Sequence, residues 1–324
     1  MKNSTKLSII AMALGAAFAL SAAAQGYPSK TVRLILPYPP GGGSDTIARP
    51  VTKKLSEYLG QQVLVDNRGG AGGNIGMEAA ARSAPDGYTI VLGLTAQLAV
   101  NPSLFKSINY DPVRDFDPIT MLANGAYVLV AHPSLPVRSV KDLIAVARAR
   151  PGEVFYASSG NGSGAHLATE LLSNMTGIKL VHVPYKGGGP ALVDTIAGQT
   201  QILFATPIAS SGHIKAGRVR PLAVSSAKRV QSFPDVPTVA QAGLPGYEAG
   251  VWYGILAPKG TPREIVTRLN QDIRKVLNDS GIRAFLTKAG IEPDGGTPEA
   301  LGRYMQSELA KWAKVIKAGN IRID

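Results

Sequence analysis

From Thr31 onward the chain repeats one pattern: a β-branched run, a glycine-rich loop, then an amphipathic helix. Thr31–Tyr38 (TVRLILPY) stops at Pro39-Pro40, Gly41-Gly42-Gly43 follow, and Ser44 opens a helix to about Gly60. Ile47, Val51, Leu55 and Leu59 recur at i, i+4 and give that helix one apolar face. Gln62–Asn67 is a second strand, and Gly69-Gly70-Ala71-Gly72-Gly73 leads into a helix over Ile75–Ser83. Tyr88–Gly93 is a third strand, entered through the Pro85-Asp86-Gly87 turn. The pattern resumes with strands at Ala126–Ala131, Phe155–Ser158, Leu180–Pro184, Ile202–Ala205 and Pro221–Ser225. Helices over Val140–Arg150, Ala165–Thr176, Ala191–Ala197 and from Pro207 to Ala216 alternate with them. Strands alternating with helices at this spacing predict an α/β fold whose sheets are mixed and mainly parallel, covered on both faces. Residues 261–279 and 297–318 close the chain as amphipathic helices, each with Thr as N-cap and Pro at the first helical position. The repetition predicts two lobes: 25–124 plus 245–324 as the first, and 125–244 as the second.

The N-terminus sets the expected compartment. Lys2 and Lys6 precede an apolar, Ala-rich run from Leu7 to Leu20, and Ala22-Ala23-Ala24 offers a cleavage site before Gln25. That order predicts a signal peptide over 1–24, the run being short of the roughly 20 residues that span a bilayer. The chain has no cysteine, so an exported protein of this sequence holds itself by packing alone, which its length allows. The same absence excludes thiol nucleophiles and cysteine-based zinc or iron–sulfur sites. The formal net charge of +12 comes from scattered residues rather than a basic, aromatic-interleaved patch. It therefore predicts no nucleic-acid site, but it can steer small anions.

Three strand-to-helix junctions are built alike: Pro40-Gly41-Gly42-Gly43-Ser44-Asp45, Ser158-Ser159-Gly160-Asn161-Gly162-Ser163 and Tyr185-Lys186-Gly187-Gly188-Gly189. Ligands of open parallel sheets bind beyond the carboxyl ends of strands, where such loops sit. Each following helix offers unpaired N–H groups and the positive end of its dipole, so a carboxylate or phosphate is the natural guest. Any single loop is also ordinary connection chemistry; three on successive crossovers point to a site. Gly160-x-Gly162-x-x-Ala165 fits a permissive dinucleotide pattern, yet no acidic residue ends the next strand, Leu180-Val181-His182-Val183-Pro184. No GxxxxGK[ST], GxSxG or HExxH occurs, so neither a nucleotide cofactor nor a hydrolase or metal centre is indicated. His166, one turn into its helix, either faces a ligand or is packed; Asp45 either meets a ligand donor or steadies its own helix start.

At these loops the sequence resembles the Bug (Bordetella uptake gene) type of periplasmic receptor of tripartite tricarboxylate transporters. The resemblance runs from Tyr27 to the C-terminus. It is carried by PPGGGSD at 39–45, VDNR at 65–68, GAGGNIG at 70–76 and APDGYT at 84–89, then by SSGNGSGAHLATE at 158–170 and VPYKGGGPAL at 183–192. FPDVPT at 233–238, AGLPGYE at 242–248 and Trp252-Tyr253-Gly254 complete the series. It implies a two-lobed, Venus-flytrap receptor of the type II periplasmic-binding class, without catalysis or cofactor, that hands a small carboxylate to integral membrane permease subunits. A monomer is the expected state. The site it implies comprises Gly42, Gly43, Ser44 and Asp45 from the first loop, with Ser158, Ser159, Gly160, Ser163 and His166 from the serine-rich one. Tyr38, Asn74, Thr95, Tyr185, Lys186, Gly187 and Thr206 are the implied neighbours that choose the rest of the ligand. Where many relatives carry an Asp in a V-D-x-x-F stretch, this chain reads Gln201-Ile202-Leu203-Phe204-Ala205-Thr206. An inner wall of Ala205 and Thr206 is less polar and favours an aromatic or aliphatic carboxylate over a zwitterionic amino acid. A ligand-loaded partner of a membrane kinase, or an enzyme using His166 with Ser163 or Asp45, remains open on sequence alone.

Overall fold

The computed structural model describes residues 26–318, so the expected signal peptide lies outside the described residues. Two mixed sheets form the two lobes. The first contains β1 (Val32–Leu36), β2 (Val63–Asn67), β3 (Thr89–Leu94), β4 (Phe116–Ala126), β10 (Gly250–Pro258) and β11 (Ile291–Pro293), in the order β11-β4-β10-β3-β1-β2. The second contains β5 (Val128–Ala131), β6 (Phe155–Ser158), β7 (Val181–Pro184), β8 (Ile202–Ala205) and β9 (Arg220–Val224), in the order β7-β6-β8-β5-β9. Six of the strands found from helix alternation pair in parallel, β1 with β2 and β3, and β6 with β7 and β8, whereas β5 and β9, found in the same way, pair antiparallel. The antiparallel share is larger than alternation predicts, because β4, β5, β9, β10 and β11 pair antiparallel with their neighbours in the two sheets.

The helix over Gly43–Leu59 (α1) starts at extended Gly42 and ends at Gly60, whose φ of 68° is the left-handed turn that favours glycine. Its stripe of Ile47, Val51, Leu55 and Leu59 is buried, as the i, i+4 spacing requires. A short 3₁₀ turn over Ala71–Gly73 introduces α2 (Asn74–Ala81), and a π-turn over Ala96–Val100 runs into α3 (Asn101–Leu104). The second lobe carries α4 (Val140–Ala149), α5 (Gly164–Thr176), α6 (Gly188–Ile196) and α7 (Pro207–Lys215). The helices α8 (Arg263–Asn278), α9 (Ser280–Lys288) and α10 (Pro298–Ala318) return to the first lobe. Thr297 caps α10 through the Ala300 N–H, as its Thr-Pro pair predicts. Thr261 does not cap α8; its hydroxyl donates instead to the Pro258 carbonyl at 2.7 Å. Cohesion rests on fully buried side chains such as Ile35, Leu36, Ile47, Ile90, Tyr156 and Phe204, each contributing about 2–3 kcal/mol by burial.

The chain passes between sheets at two adjacent places. β4 runs into β5 through Tyr127, and the segment after β9 returns to β10 through Ala249. Ser225 ties the crossings together. The Tyr127 N–H donates to its Oγ at 2.8 Å, its own N–H donates to the Tyr127 carbonyl, and the Ala249 N–H donates to the Ser225 carbonyl. The Ser225 hydroxyl then donates to the Ala249 carbonyl. A short, hydrogen-bonded pair of crossings is the structural requirement for lobes that rotate as units.

Candidate functional site

The carboxyl ends of β1, β3 and β8 open onto a cavity of about 50 Å³ between the lobes. Its wall takes residues from the first turns of four helices: Gly43 and Ser44 of α1, Ala165 of α5, Gly188 and Gly189 of α6, and Ala209 of α7 with its cap Thr206. Each helix start presents N–H groups without intrahelical partners and roughly half a positive charge. Among the described residues no Lys, Arg, His, Asp or Glu lines this space; Tyr38, Tyr127 and Tyr253 line it together with the apolar Leu94, Leu203 and Phe204. An anion here is met by neutral dipoles. A second chamber of about 260 Å³ adjoins the first through Tyr38 and Ser159. It is lined by Gly70–Gly73, Gly160, Asn161, Tyr185 and Lys186.

The two lobes touch through glycines. A Cβ on Gly43 would lie 2.2 Å from Thr206 Oγ1, one on Gly187 2.7 Å from Pro39 Cγ, and one on Gly72 2.4 Å from the Asn161 carbonyl oxygen. No side chain fits at these three points while the lobes are together.

The anticipated residues divide in two. Tyr38, Gly42, Gly43, Ser44, Ser159, Ala205 and Thr206 line the inner cavity, and Gly160, Tyr185 and Lys186 join Tyr38 and Ser159 at the outer chamber. Asp45, Asn74, Thr95, Ser158, Ser163, His166 and Gly187 line neither, and each has another occupation. Asp45 accepts from the Gly41 N–H at 3.1 Å, from Arg49 Nε and Nη2 at 2.9 Å each, and from Asn67 Nδ2 at 3.0 Å. Burial raises its pKa, but these donors outweigh burial and leave it below the usual carboxylate value. Its carboxylate braces the first glycine loop, so Asp45→Ala is expected to lower stability by about 2 kcal/mol and to weaken ligand capture. Urea unfolding and calorimetry check this; an unchanged midpoint with unchanged affinity would remove the bracing role.

The serine-rich loop is braced in the same way. Ser158 Oγ accepts from the Gly160 N–H and donates to the Gly160 carbonyl, both at 3.1 Å, and lies 2.6 Å from His182 Nε2. Ser163 caps α5 by accepting from the His166 N–H at 3.3 Å. His166 Nδ1 accepts the Gly162 N–H at 3.1 Å, which assigns its proton to Nε2. The His166 ring stacks on His182 at 4.2 Å between centroids, and His182 stacks on Tyr156 at 4.7 Å. Burial, with His182 beside it, pushes His166 down to about 3, and burial alone pushes His182 down to about 4. Both rings are neutral packing elements at pH 7. Thr95 Oγ1 accepts the Trp252 N–H, Asn74 Oδ1 accepts from Asn101 and Tyr110, and Gly187 meets Pro39 across the lobes.

Tyr127, Tyr253, Leu94 and Phe204 also line the inner cavity and are absent from the sequence-derived set; Gly188 and Gly189, which the sequence names only within the third glycine loop, line it as well. The fourth helix start, at Thr206-Pro207, carries no glycine and escapes a search for glycine loops; its signal is the Thr-Pro cap after an apolar strand.

A two-lobed α/β fold with an anion pocket where helix starts converge defines a solute-binding receptor of the periplasmic-binding class. Residues 47–321 match the family described as "Tripartite tricarboxylate transporter family receptor", and the chain belongs to that family. It is 39% identical to Protein BugT of Bordetella pertussis over 98% of both chains. It is similar to the structure described as "R. palustris Rpa4515 with adipate", at 41% identity and a TM-score of 0.89, covering 91% of this chain and 99% of that one. It is also similar to the periplasmic binding protein BugD, at 32% identity and a TM-score of 0.88, covering 91% and 99% respectively.

Proposed function

We propose that this receptor captures a small carboxylate, mono- or dicarboxylate with an aliphatic or aromatic body, and delivers it to the permease subunits of a tripartite transporter. The observation that carries the reading is the convergence of four helix starts on a cavity with no charged lining. Adipate bound to the R. palustris relative supports the same ligand class. The anchor is formed by Gly43, Ser44, Ser159 and Thr206; the body extends past Tyr38 towards Tyr185 and Lys186. The lobes are 25–124 plus 245–324, and 125–244, a division supported by the sheet membership of the strands. They close by rotation about the Ser225-tied crossings. Export through a cleaved segment near Ala24 and a monomeric state complete the proposal.

A thermal-shift panel of dicarboxylates, aromatic acids and amino acids tests it. An acid at about one hundred times its Kd should raise the melting temperature by roughly 5 °C. Because neutral dipoles hold the anion, its affinity should change by less than about threefold between roughly 50 and 500 mM salt. A panel that moves nothing would remove the carboxylate reading; a steep salt dependence would place a cation in the anchor.

A further inference from the structure

Tyr253 is out of place in an apolar strand. It lies on β10, between β3 and β4, and is fully buried. The residue lines the inner cavity, and its hydroxyl is buried with no hydrogen-bond partner among the described residues. A buried hydroxyl is ordinarily paired, and an unpaired one lowers the stability of the fold that contains it. Tyr38, on the same cavity, accepts from Gln97 Nε2 at 2.9 Å, so its own proton is free for the ligand. Burial, partly offset by the Gln97 bond, pushes Tyr38 up to about 12, and burial also raises Tyr253 and Tyr127. All three phenols therefore keep their protons at neutral pH.

No acceptor of matching charge faces these donors. The nearest acid in sequence to the anchor, Asp45, has its oxygens taken by Gly41, Arg49 and Asn67. Glu170 accepts from Tyr156 and Asp194 from Tyr185. Neither lines the cavity. An ammonium group placed inside would meet the positive ends of four helices and no carboxylate.

We infer that the cavity selects carboxylates lacking an α-amino group, because no lining carboxylate answers an ammonium, and that the Tyr253 hydroxyl donates to the bound acid. This rests on the carboxylate-receptor reading above. A hydroxyl left unpaired by the protein gains its bond only with the solute, so the site trades stability for affinity.

Calorimetry with matched pairs tests it: succinate against aspartate, glutarate against glutamate, and 3-phenylpropionate against phenylalanine. The acid of the tightest pair should bind at least about a hundredfold more tightly than its amino analogue. Tyr253→Phe removes one oxygen and keeps the ring. It should weaken that acid at least about tenfold while the melting temperature of the ligand-free protein stays level or rises. Binding of the variant within about twofold of the parent, a lowered melting temperature, or an amino acid bound as well as its acid would each overturn the inference. Acids that bind with Tyr253→Phe unaffected remove the donor role of Tyr253 alone; a panel in which no acid binds removes the receptor reading with it.

Discussion

Gly43→Val is expected to weaken ligand capture by more than about a hundredfold while leaving the stability of the ligand-free protein within roughly 0.5 kcal/mol. Gly43 is the first residue of α1 and its φ is not in the left-handed region, so the backbone accepts any side chain. What no side chain can share is the space across the cleft. The added Cβ alone would stand 2.2 Å from Thr206 Oγ1 and 2.8 Å from Thr206 Cβ and Cγ2. The lobes must then stay apart, and the helix starts of α1 and α7 no longer reach the same anion. Gly43→Ala should show the same defect, and Thr206→Gly in that background should restore part of the affinity, because it deletes all three clashing atoms. Calorimetry on the four proteins of this cycle, with scattering to follow compaction, measures the coupling. Undiminished affinity in Gly43→Val would mean that closure does not bring Gly43 to Thr206.

The second large effect is acid sensitivity. His166 and His182 have folded values near 3 and 4, against about 6.5 for a free imidazole. Between those limits the unfolded chain binds more protons than the native one, so stability rises with pH. The full contribution is present above pH 6.5 and is lost as pH falls through 6.5 towards 4. The slope can reach about 1.4 kcal/mol per pH unit for each ring that stays neutral in the fold. The structural cause is specific. A proton on His166 Nδ1 would displace the Gly162 N–H and set one imidazolium against the other ring at 4.2 Å, below Tyr156. His166→Gln combined with His182→Gln should flatten the profile between pH 6.5 and 4 in urea melts. A double variant with the parent's slope would assign the acid limb to other groups.

The parallel βαβ units are legible because each couples a β-branched run to a helix of i, i+4 spacing, as in Thr31–Leu59. β4 is not: Pro118, Asn124 and Gly125 read as turn residues, yet Phe116–Ala126 is a long strand paired with β10 on one side and β11 on the other. The glycine loops announce themselves because backbone N–H groups need no particular side chain. Tyr253 does not, since which face of a strand a tyrosine takes depends on pairing register, here that of β10 with β3, and Tyr127 sits at the crossing between β4 and β5, which local pattern does not place. Asp45, Ser163 and His166 show the converse. Their types suit ligand contact, and only their partners reveal that they brace the loops.

The glycines at the lobe contact have a thermodynamic consequence. Most protein surfaces that come together must freeze long side chains, at about 0.5–1.5 kcal/mol for each one immobilised. Gly43, Gly187 and Gly72 have no rotamers to lose, and Pro39, which Gly187 meets, has almost none. Closing this cleft therefore carries little conformational entropy penalty, and nearly all of the free energy of the anion's contacts goes into holding it. Opening regains equally little disorder, so the lifetime of the closed state is governed by those contacts and by the solute itself.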